Sequence, residues 1–306
     1  MNTQATVVTH TGSLKRRRRQ ALIGAAYIAP SFILMTIFNV IPIFVSLYLS
    51  FCKYNMVGSP VWIGLENYRK LASNKALGDA LINTVKYVLM TVPVQTILAL
   101  LIAAFIAERL KNRYGSFLRS VIFIPVIVSL IASATVWSIM YETNGGLLNQ
   151  LLGLFGVPAV NFLGSKQTAL ASVAAVAVWK NTGYYMVIYY AGIMNVSPEI
   201  HEAAVVDGAK AHQRFWYITL PMLKPITYMI VTLGIIGSFQ VFDLVYKMTG
   251  GGPGYATKFI VQQVYQAAFV EDRMGYASAM SIVLMLIIGV FTLLQFRLSG
   301  KEQDYE

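Results

Sequence analysis

The chain has 306 residues, of which 57% are hydrophobic and 12% charged, and its mean hydropathy is +0.61. These figures exclude a soluble domain and describe a membrane protein. The formal net charge of +11, from 24 Lys and Arg against 13 Asp and Glu, collects at the ends of apolar stretches, where membrane orientation accounts for it and nucleic-acid binding does not.

In chain order, residues 1–14 are polar and expected to be loosely held, and Lys15 to Arg19 form a basic run that marks the cytoplasmic side. The uncharged interval from Gln20 to Cys52 is ample for a first span of about 20 residues. Pro30 and Pro42 predict that it is bent or segmented. It is too long for a signal-peptide core and no small-residue cleavage site follows, so the span is expected to stay. Turn residues Gly58, Ser59 and Pro60 open an external loop with a short surface helix near Leu65 to Ala72. A second span is expected over about Ala80 to Ile106, with Lys86 snorkelling near its outer end. Arg109, Lys111, Arg113 and Arg119 return the chain to the basic side. A third span then runs from about Leu118 to Tyr141, with Ser129, Ala132, Ser133 and Ala134 available for close helix packing.

The external stretch Glu142 to Gln167 is glycine-rich and holds a single Lys. The fourth span, about Thr168 to Met194, is the least lipid-like, because Trp179, Lys180, Asn181, Tyr184, Tyr185, Tyr189 and Tyr190 require a face turned to protein or water. A polar interval, Ser197 to Pro225, separates it from a fifth span over about Leu223 to Tyr246. The sixth runs from about Tyr276 to Phe296. The expected fold is all-α, with six transmembrane helices and both termini cytoplasmic. It divides into a basic tail (1–19), the six-span domain (20–298) and a second cytoplasmic tail (299–306).

The polar interval has internal order. Ser197 can cap a helix, Pro198 suits its first turn, and Glu199 and Glu202 complement the positive end of its dipole. Ala203 and Ala204 give a flat surface of small residues, and Gly208 can end the helix in the left-handed conformation. A second helix should run from about Ala209 to Leu220 before Pro221 opens the next span.

Glu202, Ala203 and Ala204 are followed after three residues by Gly208, and after nine more by Ile218, Leu220 and Pro221. This pattern, EAAxxxG and IxLP, resembles the EAA loop of the permease subunits of binding-protein-dependent ABC importers. IAPSFILMTIFNVIPIFVSLYLSF, WIGLENYRKL, VWKNTGYYMVIYYAGIMNVSPEIHEAAVVDGA and TGGGPGYAT are similar to the sugar branch of that family, so the likeness covers most of residues 20–298. It implies the type I ABC importer permease fold in the bacterial cytoplasmic membrane, with Glu202, Ala203, Ala204, Asp207 and Gly208 as the ATPase-coupling residues. It also implies four kinds of neighbour: a second homologous permease, two cytoplasmic ATPases, an external sugar-binding protein and membrane lipid. The chain is too short for the extra N-terminal spans and large external domain of the maltose-type subunit, so maltose itself is not implied.

The chain offers no ATP site. Its only Gly-Lys pair, Gly300 and Lys301, is followed by Glu302 and lacks a Walker A context, and no nucleophile elbow, HExxH or catalytic carboxylate pair stands out. No cofactor or metal is therefore expected in this chain, and ATP and magnesium belong to partner subunits.

A sugar site needs aromatic faces and hydrogen-bonding groups in a concave pocket. Asn181, Tyr184, Tyr185 and Tyr189 with Gln240 and Asp243 supply both, although the tyrosines also suit an interfacial belt or bundle packing. Lys180 is expected to pair with a carbonyl or with an acid such as Asp243. A phosphorylated solute such as glycerol phosphate would demand cations facing the path, and only Lys180 and Lys86 qualify. A stand-alone secondary carrier would leave the EAA loop without a purpose.

Overall fold

The computed structural model describes residues 11–110 and 112–300. The first ten residues with His10, Lys111, the last six residues with Lys301, and the side chains of Lys15, Arg17 and Arg18 lie outside that description. The chain starts as α1 (Thr11–Met35), continues through a π-helical segment (Thr36–Val40) into α2 (Ile41–Ser50), and so reads as one long helix. Its onset at Thr11 falls inside the stretch expected to be loose. Pro30 lies within α1 and Pro42 in the first turn of α2; the π segment sits between them, but the run stays one continuous helix and the expected bend or segmentation is not seen.

A two-stranded hairpin follows, β1 (Cys52–Lys53) antiparallel to β2 (Val61–Trp62), with Cys52 opposite Trp62. Buried Asn67 in α3 (Glu66–Ala72) donates to the carbonyls of Ser50 and Cys52, both at 2.9 Å, and fixes the hairpin to the surface helix. Lys70, one turn from Glu66, donates to its carboxylate and holds that carboxyl below the usual range.

The bundle proper consists of α4 (Lys75–Arg109), α5 (Arg113–Ile127), α6 (Leu130–Met140), the short external α7 (Leu147–Leu154) and α8 (Ala169–Met194). The elements of the polar interval, α9 (Pro198–Val206), α10 (Ala211–Arg214), a π segment (Phe215–Thr219) and α11 (Leu220–Met222), come next. The chain closes with α12 (Lys224–Phe239), α13 (Asp243–Met248), α14 (Ile260–Tyr265), a third π segment (Gln266–Val270) and α15 (Met274–Gly300).

Three stretches, Arg19–Ser50, Lys75–Arg109 and Met274–Arg297, are long and apolar enough to cross a membrane. Two bent pairs qualify together, which makes five, while the 26-residue α8, the expected fourth span, carries too many polar residues to qualify on composition.

Three expected boundaries are corrected. The third span is broken: α5 and α6 meet at 95°, with Val128 and Ser129 extended between them. Pro221 lies inside the continuous helical run Ala211–Met222, and the 65° bend comes at Leu223, ahead of Pro225 in the first turn of α12. The fifth span stops at Phe239, because Gln240 to Phe242 leave the helix and α13 starts afresh.

The core is centred on α8, which packs along α4 and also touches α5, α12 and α13. Its buried positions are small where helices approach: Ala169, Ala174, Ala177 and Gly183. Gly183 lies so close to the Ile122 carbonyl of α5 that an added Cβ would collide with it. By contrast, the most apolar stretch of α1 and α2 contains no buried residue, and only the α2 end leans on α15.

Candidate functional site

Two groups of residues carry the functional question, the polar face of α8 and the loop that follows it. Positions 181, 185 and 189 are spaced by four and share one side of α8, the side turned into the bundle. Asn181, half-buried, donates to Gln95 Oε1 of α4 at 3.4 Å. Tyr185 and Tyr189 are buried among Ala99, Ala103 and Ile106 of α4 and Leu223 and Ile230 near α12. The Tyr189 hydroxyl donates to Thr227 Oγ1 at 3.0 Å. Tyr184 lies on the flank of that side and stays 44% exposed, its ring edge-on to Tyr185 at 5.4 Å.

Gln240 and Asp243 are exposed beyond the outer end of α12. Gly234 stands beside Gln95 at the Asn181 level, and Gln240 is six residues further, about 9 Å along a helix. The six sugar-site candidates therefore divide into an inward-packed trio, an exposed Tyr184 and an outer pair.

Gln95 was not singled out from the sequence. It is fully buried, its Nε2 has no partner among the described residues, and Thr91 one turn away pairs with Ser238 of α12 at 3.2 Å. An uncharged amide inside an apolar run is the signal that marks it.

Lys180 resolves in favour of carbonyls. Its ammonium donates to Pro125 O at 2.9 Å and Val128 O at 2.6 Å, the groups that the 95° break releases from the α5 ladder, whereas Asp243 is exposed elsewhere. A cation at the carbonyl end of a helix also complements its dipole. Lys180 is thereby committed to holding the break.

In the loop, Ser197 adopts an extended conformation before α9, without a side-chain capping bond, and Pro198 and Glu199 occupy the first turn. The C-terminal end explains the motif's spacing. Asp207 closes the helix and Gly208 is left-handed, with φ of +80°. Gly208 N–H donates to Val205 O at 3.0 Å and Ala209 N–H to Ala204 O at 2.9 Å. That pair of bonds is a Schellman closure, which needs glycine four residues after Ala204 and favours small groups where Ala204 meets Ala209.

Arg214 ties the loop to the bundle. One guanidinium nitrogen donates to Ala209 O at 3.2 Å and another to Glu108 Oε1 at 3.3 Å, at the C-terminal end of α4. Between α9 and α4 lies a cleft of about 630 Å³ whose walls include Ala104, Glu108, His201, Glu202 and Arg214. Val205 and Val206 line the same cleft, and Glu202, Ala203, Val205 and Val206 are all exposed, Val206 at 87%. Glu108 and Arg214 were absent from the expected coupling set, because their pairing joins positions 106 residues apart.

Residues 70–302 match the family model described as binding-protein-dependent transport system inner membrane component. The chain is similar to the trehalose/maltose transport system permease protein MalF of Thermococcus litoralis, 32% identical over 291 residues that cover 95% of this chain and 98% of the relative. It is equally similar, at 32% over 280 residues covering 91% and 94%, to the sn-glycerol-3-phosphate transport system permease protein UgpA of Agrobacterium fabrum. In fold it resembles a chain from the crystal structure of a bacterial ABC transporter involved in the import of the acidic polysaccharide alginate. That match has a TM-score of 0.83 at 22% identity and covers 94% of this chain and 99% of that one.

Proposed function

The chain belongs to the family of inner membrane components of binding-protein-dependent transport systems, and we propose that it is the permease subunit through which an ATP-driven importer takes up a neutral di- or oligosaccharide. The observation that carries this reading is the construction of the coupling loop. A short helix with an exposed Ala203, Val205 and Val206 surface is closed by Gly208 and braced on α4 through Arg214 and Glu108. A force applied to α9 from the cytoplasm then reaches the spans as a rigid-body displacement, which alternating access requires. The force comes from two partner ATPases that bind ATP and magnesium. This chain holds no cofactor and catalyses nothing by itself.

A second, homologous permease is supported by the uncovered first span and by an apolar groove of about 790 Å³ between α4, α5 and α8. Both are surfaces that a neighbouring bundle can cover. The sugar arrives on a binding protein at the outer face, meets Gln240 and Asp243, and passes the Tyr184 side of α8 as Asn181, Tyr185 and Tyr189 separate from α4 and α12. Both termini are assigned to the cytoplasm from the distribution of Lys and Arg.

A neutral substrate is favoured because Lys180 is consumed by two carbonyls, which leaves Lys86 as the remaining candidate cation for a phosphate. Glycerol phosphate is the second reading, since one relative carries that name. The test is co-reconstitution with the partner permease, ATPases and binding protein, comparing stimulation of ATP hydrolysis by trehalose, maltose, longer maltodextrins and glycerol phosphate. Stimulation by a sugar is the expected result, and stimulation by glycerol phosphate alone selects the second reading. Solute movement by the purified chain without ATP would overturn both in favour of a secondary carrier.

A further inference from the structure

The outer end of the molecule carries a strip of aromatic rings that neither the bundle core nor the coupling loop uses. Phe242 and Tyr246 stack with centroids 5.1 Å apart and planes 20° from parallel. Tyr265 leans on both, at 5.0 and 5.8 Å, and Phe269 continues the row at 5.4 Å from Tyr265. The strip joins the start of α13 to α14 and its π-helical extension. Packed rings normally bury their faces, yet Tyr246, Tyr265 and Phe269 remain 53%, 37% and 60% exposed.

Its level in the membrane follows from helix lengths. From the cytoplasmic bend at Leu223, the 16 residues of α12 rise about 24 Å, close to the thickness of a bilayer core, so α13 begins near the outer boundary. Asp243, Tyr246 and Lys247 stand at i, i+3 and i+4 of α13 and share one exposed face, while Leu244, Val245 and Met248 are buried behind it. Rings beside a carboxylate and an ammonium also suit the headgroup level of a bilayer, though lipid tails would gain nothing from the two charges. A pyranose would gain from both, because its C–H face stacks on an aromatic ring while its hydroxyls seek a donor and an acceptor at the rim. Rings already held against one another also lose little freedom when a ligand settles on them.

We propose that Phe242, Tyr246, Tyr265 and Phe269 form an outer sugar subsite, a stacking platform that receives pyranose rings before they enter the spans, with Asp243 and Lys247 bonding the hydroxyls at its edge. The inference rests on the sugar reading above and adds an entry station to it. Because the row continues past one ring, it favours chains of two or more units over a monosaccharide.

The test uses the complete transporter in proteoliposomes, with its binding protein and radiolabelled trehalose, maltose and maltotetraose, and reads uptake and ATP hydrolysis together. In the Tyr246→Ala/Tyr265→Ala double variant, sugar carried per ATP hydrolysed should fall about tenfold, the worth of one good stacking contact. ATPase stimulation by the loaded binding protein should stay within twofold of wild type. The Tyr246→Phe/Tyr265→Phe pair, which keeps both faces, should transport like wild type and serves as the folding control. Phe269→Ala, at an exposed position, should lower the ratio by a smaller factor.

Unchanged uptake per ATP in the alanine pair would overturn the subsite, as would full transport by a Tyr246→Leu/Tyr265→Leu pair, because rings facing lipid or protein need only apolar bulk. A parallel loss of uptake and ATPase stimulation would assign the strip to the binding protein instead and overturn it equally. If wild type transports none of the sugars, the sugar reading itself fails and the subsite with it, a result separable from failure of the strip alone.

Discussion

Replacing Lys180 with methionine keeps the side-chain length and removes the ammonium that spans the break between α5 and α6. Two opposing quantities decide the outcome. The bonds to Pro125 O and Val128 O, at 2.9 and 2.6 Å, are charge-assisted and each is worth about 1.5–3 kcal/mol, so their loss costs about 3–6 kcal/mol. Relief from carrying a charge at membrane depth returns about 2.5–3.5 kcal/mol on the insertion scale. The midpoints of the two ranges leave the methionine variant about 1.5 kcal/mol less stable, because no other donor is provided for the two carbonyls among the described residues and lipid cannot replace it. Denaturant titration of the purified subunit in detergent, followed by circular dichroism, measures this directly. Lys180→Arg should recover part of the loss and Lys180→Gln less. A methionine variant as stable as wild type, or more so, would show that the cost of burying the ammonium exceeds the worth of its bonds and would refute the reasoning.

Four further outcomes are expected. Gly208→Val has open space around its Cβ but must adopt φ near +80°, a strain of about 1–2 kcal/mol, so the variant should insert normally while ATP hydrolysis proceeds without matching uptake. Full coupled transport would count against the loop's role. The Asn181→Ala/Tyr185→Ala variant should assemble with its ATPases yet lose most uptake, and normal uptake would remove both residues from the pathway. Glu108→Gln should change stability by under about 1 kcal/mol, since the pair is partly exposed, but should weaken substrate-stimulated ATPase activity; the swapped pair Glu108→Arg/Arg214→Glu should restore it if the contact transmits force. Gly183→Ala must push α5 away from α8 and should cost about 1–3 kcal/mol, measured as reduced yield of assembled complex in membranes.

The construction of the loop after α8 could be read from sequence because its physics is local. Pro198, Glu199, Ala204 and Gly208 fix the start and end of α9 through neighbours within a few residues, and the structure repeats that order. Five of the six expected crossings were equally readable, since apolar length and flanking charge suffice.

The breaks were not. Ile124 to Trp137 carries no charge to mark a break, Pro125 sits within α5 instead of at the bend, and the group that stabilises the bend, Lys180, enters more than fifty residues later. Pro221 misled for a related reason. A proline in the first turn of a helix does not betray whether the preceding run is continuous, and the π segment from Phe215 absorbs it. The side-chain directions of Tyr184, Tyr185 and Tyr189 depend on which neighbours flank α8, so composition named the right segment without dividing its faces.

The first span, whose apolar stretch is uncovered by its own bundle, has a consequence for how this molecule tolerates change. A core residue such as Met186 is constrained by every helix around it, and its replacement must be answered by neighbours in the same chain. A residue such as Phe32 or Phe38 answers only to lipid or to another molecule. The two parts of one polypeptide are therefore free to diverge at different rates. An arm exchanged between related subunits should leave the bundle's own fold intact and alter only the company the chain keeps.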